Sequence, residues 1–251
     1  MTAEFQDRVA LVTGGSRGIG RATALRLASE GCHVAISYGS RSGPAEETVA
    51  EIERMGRRAV AEQCNAGSPD DVARLVERTK RDLGPIDFLA HCGAISNLAD
   101  HTTLDYDLWR EMIDVNLTGA YLAVFAVKDS MIAREFGRIV TVSSIAALLP
   151  RKNQIHYATA KAGVMAFTRC CAEAFAPHNV RVNCVTPGLV ETEMAEVLSS
   201  ERRSQIIADT PMQRIGRPEE LASVIRFLLS DESSYMTGQT VVASGGRLML
   251  S

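Results

Sequence analysis

Short, mostly apolar runs alternate along the chain with longer stretches in which apolar residues return at helical spacing. The first run, Val9 to Val12, ends in Thr13-Gly14-Gly15-Ser16-Arg17-Gly18-Ile19-Gly20. Apolar positions at Ala22, Leu25 and Leu27 then lead to Gly31, a natural helix stop. The same alternation predicts strands at 34–36, 58–64, 86–90, 138–142, 180–185 and 239–242. Helices are predicted at 44–55, 69–83, 104–134 (one long or broken helix), 153–177, near 193–209 and 218–230. Short apolar strands alternating with helices imply an α/β fold: a doubly wound, seven-stranded parallel sheet with helices on both faces. No low-complexity segment or linker divides the chain, so residues 1–251 read as a single domain.

Ligands of such sheets bind beyond the carboxyl ends of the strands. The residues that follow the predicted strands are 13–20, 38–42, 64–66, 91–94, 143–144 and 186–192, and they are rich in Gly, Ser, Thr and Asn. That clustering suits a nucleotide. The run 13–20 is a glycine loop between strand and helix, where backbone can approach a phosphate and the helix N-terminus offers free N–H groups. After the second strand, Ser37-Tyr38-Gly39-Ser40-Arg41-Ser42 lacks the acid that would bind the ribose 2′-hydroxyl of NAD. Arg17 and Arg41, with Ser40 and Ser42, could instead receive a 2′-phosphate, so NADPH is expected over NADH. The plainer alternative is that both arginines are solvated loop residues.

Three further features carry possible chemistry. On a helix, Tyr157 and Lys161 in His156-Tyr157-Ala158-Thr159-Ala160-Lys161 share one face. An ammonium there would favour the phenolate and lower the tyrosine pKa toward a useful value. Ser144, at the end of the fifth strand, could donate to a substrate carbonyl oxygen as charge builds on it, or simply cap a turn. Asn116 interrupts an apolar helical stretch and hints at a kink or a bound water.

Composition narrows the classes of function. Hydrophobic residues make up 46% of the 251, enough for a sizeable core. A net charge of -3 without a basic block argues against a nucleic-acid partner. No apolar run approaches a membrane span, and the N-terminus lacks signal-peptide architecture, so a cytoplasmic protein is expected. Cysteines 32, 64, 92, 170, 171 and 184 show no Cys-x-x-Cys spacing and read as small buried hydrophobes in a reducing compartment. The histidines lack paired ligand spacing, and no metal is assigned.

Taken together, these motifs resemble the short-chain dehydrogenase/reductase family from residue 7 to 246, most closely its 3-oxoacyl-[acyl-carrier-protein] reductase branch. Thr13 to Gly20 is similar to the family's Thr-Gly-x-x-x-Gly-x-Gly cofactor loop, and Ser144 stands thirteen residues before Tyr157, as it does there. Asn116 fits the fourth catalytic position, and Pro187-Gly188 with Thr192 the nicotinamide-side loop. The resemblance implies a Rossmann fold and a reduction in which Tyr157 protonates the developing alkoxide as hydride reaches the carbonyl carbon. It implies that Lys161 lowers the tyrosine pKa and binds the ribose, that Ser144 polarises the carbonyl, and that Asn116 holds a water linking Lys161 to solvent. Backbone at Val190 and the Thr192 hydroxyl would contact the carboxamide, and Asn65 and Ala66 would lie against the adenine. Gly14, Ser16, Arg17, Gly18, Ile19, Gly20, Tyr38, Cys92 and Gly93 complete the implied cofactor contacts. The implied substrate is a ketone or 3-oxoacyl thioester, with an acyl-carrier protein as a possible partner, a place in fatty acid biosynthesis and a homotetrameric assembly.

Some positions depart from the family. His91-Cys92-Gly93-Ala94 replaces the usual Asn-Asn-Ala-Gly. His91 reads either as a replacement strut or, by the rule that histidine in an apolar run is commonly a satisfied core residue, as packing. Basic residues for a carrier protein are missing at the aligned positions, Glu135 and His178, although Arg134, Arg151 and Arg169 lie near in sequence. Segment 193–216, with Met194, Val197, Leu198, Ile206, Ile207 and Met212, resembles the family's substrate lid, expected near 190–216. Ser244 to Leu250 is apolar for a terminus and reads as an oligomer contact. Two other readings remain open. One is an NAD-dependent secondary-alcohol dehydrogenase of the same family; the other is a non-enzymatic dinucleotide-binding regulator. A methyltransferase is disfavoured because it has no use for the Ser-Tyr-Lys spacing.

Overall fold

The protein, seen in a computed structural model, is described for residues 4–196 and 198–249. Seven strands, β1 (Val9–Thr13), β2 (His33–Tyr38), β3 (Ala59–Gln63), β4 (Phe88–His91), β5 (Gly137–Val142), β6 (Val180–Pro187) and β7 (Thr240–Ala243), form one sheet. Its order is β3-β2-β1-β4-β5-β6-β7, and every pairing is parallel. The order runs outward in both directions from β1, so a crevice opens at the carboxyl ends of β1 and β4.

Strand residues alternate between two cores. Ala10, Val12, Val34, Ile36, Phe88, Ala90 and Val140 pack on one side with Leu27, Ile225 and Leu228. Val9, Leu11, Ala35, Leu89, Ile139 and Val182 pack on the other with Leu75, Val124, Val127 and Phe175. Both faces are buried, which is why these strands are apolar at nearly every position.

The helices are α1 (Gly18–Ser29), α2 (Gly43–Arg54), α3 (Pro69–Asp82), α4 (Tyr106–Ile113), α5 (Gly119–Ala133), α6 (Ile155–Phe175), α7 (Glu193–Glu196), α8 (Ser200–Ala208) and α9 (Pro218–Leu229). Local chemistry sets several of their starts. Ser68 caps α3 by accepting from the Asp71 N–H, Pro69 sits in the first turn, and Asp70 and Asp71 complement the helix dipole there. Asp105 caps α4 by accepting the Leu108 N–H at 2.9 Å.

Two predicted helices are interrupted. The 104–134 stretch becomes α4 and α5 joined by a π-helical turn, Asp114–Thr118, with Asn116 at its centre. Its Nδ2 donates to the Met112 and Ile95 carbonyls at 3.1 and 3.0 Å. One amide thus serves both the loosened helix and a neighbouring loop. The 193–209 stretch divides into α7 and α8, and Val197 of its apolar series lies outside the described residues.

Segment 244–249 packs on its own chain while Met249 stays exposed: Met212 N–H donates to the Gly245 carbonyl, and Arg247 Nη1 donates to the Ile206 carbonyl at 2.8 Å. Leu250 lies outside the described residues. One expectation needs correction: Cys170 is exposed and Cys92 half-buried, so only Cys32, Cys64, Cys171 and Cys184 behave as small core hydrophobes.

Candidate active site

The crevice at the strand ends is a continuous cleft of about 1760 Å³. At its floor, backbone packs against backbone. Gly14 has φ +63°, and a Cβ there would stand 2.8 Å from Gly93 Cα. Gly18 has φ +53°, and its Cβ would meet the Thr192 methyl at 2.9 Å. Side chains at either position would fill the path between the β1 turn and the loops facing it. At the start of α1, Arg17 supplies no side-chain cap and the first turn contains no acid. The free N–H groups and positive dipole end therefore face the cleft. This glycine-floored, anion-seeking groove fits a dinucleotide pyrophosphate.

Thr13 stitches the floor together. Its hydroxyl accepts the Gly93 N–H at 3.1 Å and lies 3.0 Å from His91 Nδ1. His91 is both buried and bonded, linking β4 to β1 as the strut reading required. Burial, then the charge of Lys161, lowers its pKa to about 3 and keeps it neutral. Ser37 holds the same turn from β2, its hydroxyl accepting the Gly14 N–H at 3.1 Å.

The chemistry-bearing side chains meet further along. Ser144, Tyr157 and Lys161 all line the cleft. The Ser144 hydroxyl stands near enough to the Tyr157 phenol to favour its ionised form. Lys161 Nζ lies 5.9 Å from the Tyr157 ring centroid and donates to the Val142 carbonyl at 2.9 Å. Ser143, beside Ser144, donates to the Lys161 carbonyl at 2.8 Å, which fixes α6 against the end of β5. Asn116 is fully buried behind this group, and its Oδ1 finds no partner among the described residues. That oxygen is an acceptor available to a water.

The electrostatics correct one expectation. Lys161 was expected to pull the Tyr157 pKa down, but burial prevails and holds the phenol above its ordinary value, opposed by the nearby Ser144 hydroxyl. Burial acts on Lys161 as well and lowers its pKa to about 8.

Most of the predicted cofactor positions line the cleft: Gly14, Ser16, Arg17, Gly18, Ile19, Gly20, Tyr38, Asn65, Ala66, Cys92, Gly93, Pro187, Gly188, Val190 and Thr192. Ser40, Arg41 and Ser42 do not. Arg41 instead turns over the rim, where it and Arg17 both ion-pair with one carboxylate oxygen of Glu193 on α7. The aligned carrier-protein positions are also displaced. Glu135 and His178 precede β5 and β6, at the opposite end of the sheet. Arg134 lies at that end too, bonded to Asp87 and the Ile86 carbonyl. Arg169 is exposed on α6 away from the cleft, whereas Arg151 does line it.

Several lining residues had no sequence signal. The loop after β4 is tied to the loop before α6 by Gln154 Nε2 donating to Ser96 Oγ at 3.2 Å, and by His156 Nε2 at 2.5 Å from Asn97 Oδ1. Arg202 and Arg247 reach the cleft from α8 and from beyond β7.

A family profile described as enoyl-(acyl carrier protein) reductase matches residues 14–247. A 3-oxoacyl-[acyl-carrier-protein] reductase of Synechocystis is 41% identical over 99% of this chain and 100% of its own. The chain belongs to the short-chain dehydrogenase/reductase family. An acetoacetyl-CoA reductase of Allochromatium vinosum is 37% identical over 96% of this chain and 99% of its own. Among solved structures, an Agrobacterium tumefaciens protein provisionally called a gluconate dehydrogenase superposes with a TM-score of 0.93 at 31% identity, covering 99% and 98% of the two chains. A Sinorhizobium meliloti protein, provisionally called a short-chain alcohol dehydrogenase, gives 0.92 at 33% identity and 96% coverage of both. As a member of this family, the protein is an NAD(P)-dependent oxidoreductase acting on carbonyl or hydroxyl groups.

Burying the Lys161 ammonium has a stability cost that can be measured. Its folded pKa lies below its unfolded value, so between about pH 8 and 10.5 the folded state binds fewer protons and stability rises with pH. Below pH 8 the whole penalty applies, on the order of 3 kcal/mol before the Val142 hydrogen bond offsets part of it. Lys161→Met should therefore melt about 2–6 °C higher than wild type at pH 7, with the gap closing by pH 10. An equal or lower melting temperature at pH 7 would show that the ammonium is adequately solvated where it lies.

Proposed function

We propose that the protein is an NADPH-dependent carbonyl reductase that reduces a 3-oxoacyl thioester to its 3-hydroxy product, with Asn116, Ser144, Tyr157 and Lys161 as its catalytic group. The observation that carries this reading is that Ser144 and Tyr157 line one cleft together beside the buried Lys161 ammonium. A nicotinamide cofactor held along the cleft by residues such as Gly14, Gly18, Gly93, Gly188 and Thr192 would supply the hydride. Ser144 donates to the carbonyl oxygen and orients it, and Tyr157 delivers the proton as charge develops there. A phenol whose pKa is raised is neutral at pH 7, and the neutral form is the one that donates. Lys161 stabilises the phenolate left behind, and the unpartnered Asn116 Oδ1 holds a water behind it.

Support for the thioester comes from the relatives named 3-oxoacyl-[acyl-carrier-protein] reductase and acetoacetyl-CoA reductase, whose names share a 3-oxoacyl thioester. The segment near 190–216 serves as the substrate lid, with Met194, Leu198 and Ile206 on its cleft side. A cytoplasmic location accords with this chemistry. Tyr157→Phe should reduce kcat for acetoacetyl-CoA by at least a thousandfold while NADPH still binds. Wild-type kcat/KM for reduction should be level below pH 7 and fall above about pH 8 as Lys161 loses its proton, while alcohol oxidation rises with pH. Turnover retained by Tyr157→Phe would remove the phenol from the mechanism.

Preference for NADPH rests on Arg17 and Arg41 together with the absence of an acid after β2. Glu193 engages both arginines, so a 2′-phosphate must compete with a carboxylate already on them. Fluorescence titration should show Arg41→Ala weakening NADPH about tenfold and NADH little, whereas Glu193→Gln tightens NADPH several-fold. Equal effects on both cofactors would make the two arginines bystanders.

A homotetramer is the assembly that the exposed aromatic face of α5 and α6 suits. Tyr121 and Phe125 are partly exposed, with ring centroids 4.4 Å apart, and both stack toward Phe167. Light scattering should report a tetramer for wild type and a smaller species for Phe125→Glu; a monomeric wild type would refute the assembly.

A further inference from the structure

The wall of the cleft beyond Tyr157 carries cations that the proposed reduction does not use. Arg151 comes from the loop before α6, Arg202 from α8, and Arg247 from the segment after β7. Three parts of the chain far apart in sequence thus bring guanidinium groups to one cleft. Arg247 is rigidly placed, its side chain 10% exposed, with Nη1 donating to the Ile206 carbonyl at 2.8 Å and Nη2 to Asp209 at 3.2 Å. Its Nε is buried and has no partner among the described residues.

Arg151 is half-buried, and among the described residues no hydrogen bond or ion pair engages its guanidinium. Burial and the like charges of Arg247 and Arg202 hold it below the usual arginine range. A half-buried arginine facing other arginines is unfavourable unless an anion completes the group. The carboxylates that line the cleft belong to other regions. Glu62 and Asp71 stand near Asn65 beyond β3, Asp107, Glu111 and Asp114 lie on and just after α4, and Glu193 is engaged by Arg17 and Arg41.

We infer that Arg151, Arg202 and Arg247 form an anion subsite at the substrate end of the cleft, which selects carbonyl substrates bearing a carboxylate or phosphate. Planar guanidinium forks match either oxyanion. Met194, Leu198 and Ile206 line the same cleft, giving the uncharged part of the substrate an apolar wall. The inference rests on the proposed carbonyl reduction and specifies the substrate class for it.

The test compares wild type and Arg151→Gln on three ketones sharing one reacting carbonyl: neutral ethyl acetoacetate, acetoacetate, and acetoacetyl-4′-phosphopantetheine. The expected result is at least a tenfold fall in kcat/KM for an anionic substrate relative to the neutral ester, arising in KM. Which anion responds identifies the carboxylate or the phosphate as the natural group. Arg169→Gln, on the outer face of α6, should leave the ratio unchanged. An Arg151→Gln ratio within twofold of wild type for both anions overturns the subsite.

Direct binding separates this inference from the reading beneath it. Calorimetry in saturating NADP titrates 4′-phosphopantetheine and 3-hydroxybutyrate, neither of which requires reduction of a ketone. Binding of either that weakens tenfold in Arg151→Gln supports the subsite even if no ketone is turned over, in which case the reductase reading alone fails. Should neither anion bind the wild type, or should both variants bind equally, the subsite is refuted whatever the turnover.

Discussion

A lysine ammonium inside the protein is a demanding constraint, and much of the site's geometry can be traced to it. Lys161 is only 2% exposed, and its one hydrogen bond to the described residues is to the Val142 carbonyl at the end of β5. That bond exists because Ser143 grips the Lys161 carbonyl and so sets the rotation of α6 against the strand. With the helix fixed in this phase, Tyr157, one turn earlier, faces the same cleft. Ser144 follows Ser143 directly and meets the phenol. A strand end and a helix, both anchored in core, hold the three side chains more precisely than loops could.

The same constraint explains why the sequence brings Tyr157 and Lys161 together yet misleads about their electrostatics. Tyr157 and Lys161 are four apart on one helix, and their juxtaposition follows from helical geometry alone. The sign of the tyrosine shift depends on burial, and burial is decided by what packs above the pair. The strands were legible for a related reason: the inner ones, such as β1, β4, β5 and β6, are buried on both faces, which leaves a local and continuous apolar signature. The break at Asn116 was legible as an unfavourable residue in a helix, though not as a π turn, since that depends on the Ile95 carbonyl from another loop.

Contacts between distant segments left no such trace. Glu193 reads as one more polar residue in a helical stretch, yet it draws Arg17 and Arg41 together across the mouth. His91 looked like packing, and only the position of Thr13 on the neighbouring strand makes it a link in the floor of the cleft. Glu135 and Arg134 looked close to the site in sequence but precede a strand whose opposite end forms the cleft. In a parallel sheet, one strand's length separates the functional edge from the structural one, and sequence proximity does not distinguish them.

The distribution of charge around the cleft gives the 190–216 segment a particular position. Overall the chain is acidic, with a net charge of -3, yet arginines gather at two places on one groove. Net charge therefore says little about the local field a ligand meets. Glu193 on α7 faces the first group, and Arg202 on α8, one short helix later, belongs to the second. On the proposed reading, a cofactor phosphate releases α7 from its carboxylate contact, and a substrate anion draws α8 inward. Each ligand then has a differential interaction with the same short segment, which is the condition for one binding event to alter the other. Because one effect exchanges a surface ion pair for a ligand contact and the other adds a ligand contact at an exposed arginine, the coupling is modest and weakens with salt. The segment need not be a rigid lever for this to hold, since two weak electrostatic attachments at its ends are enough to bias its position.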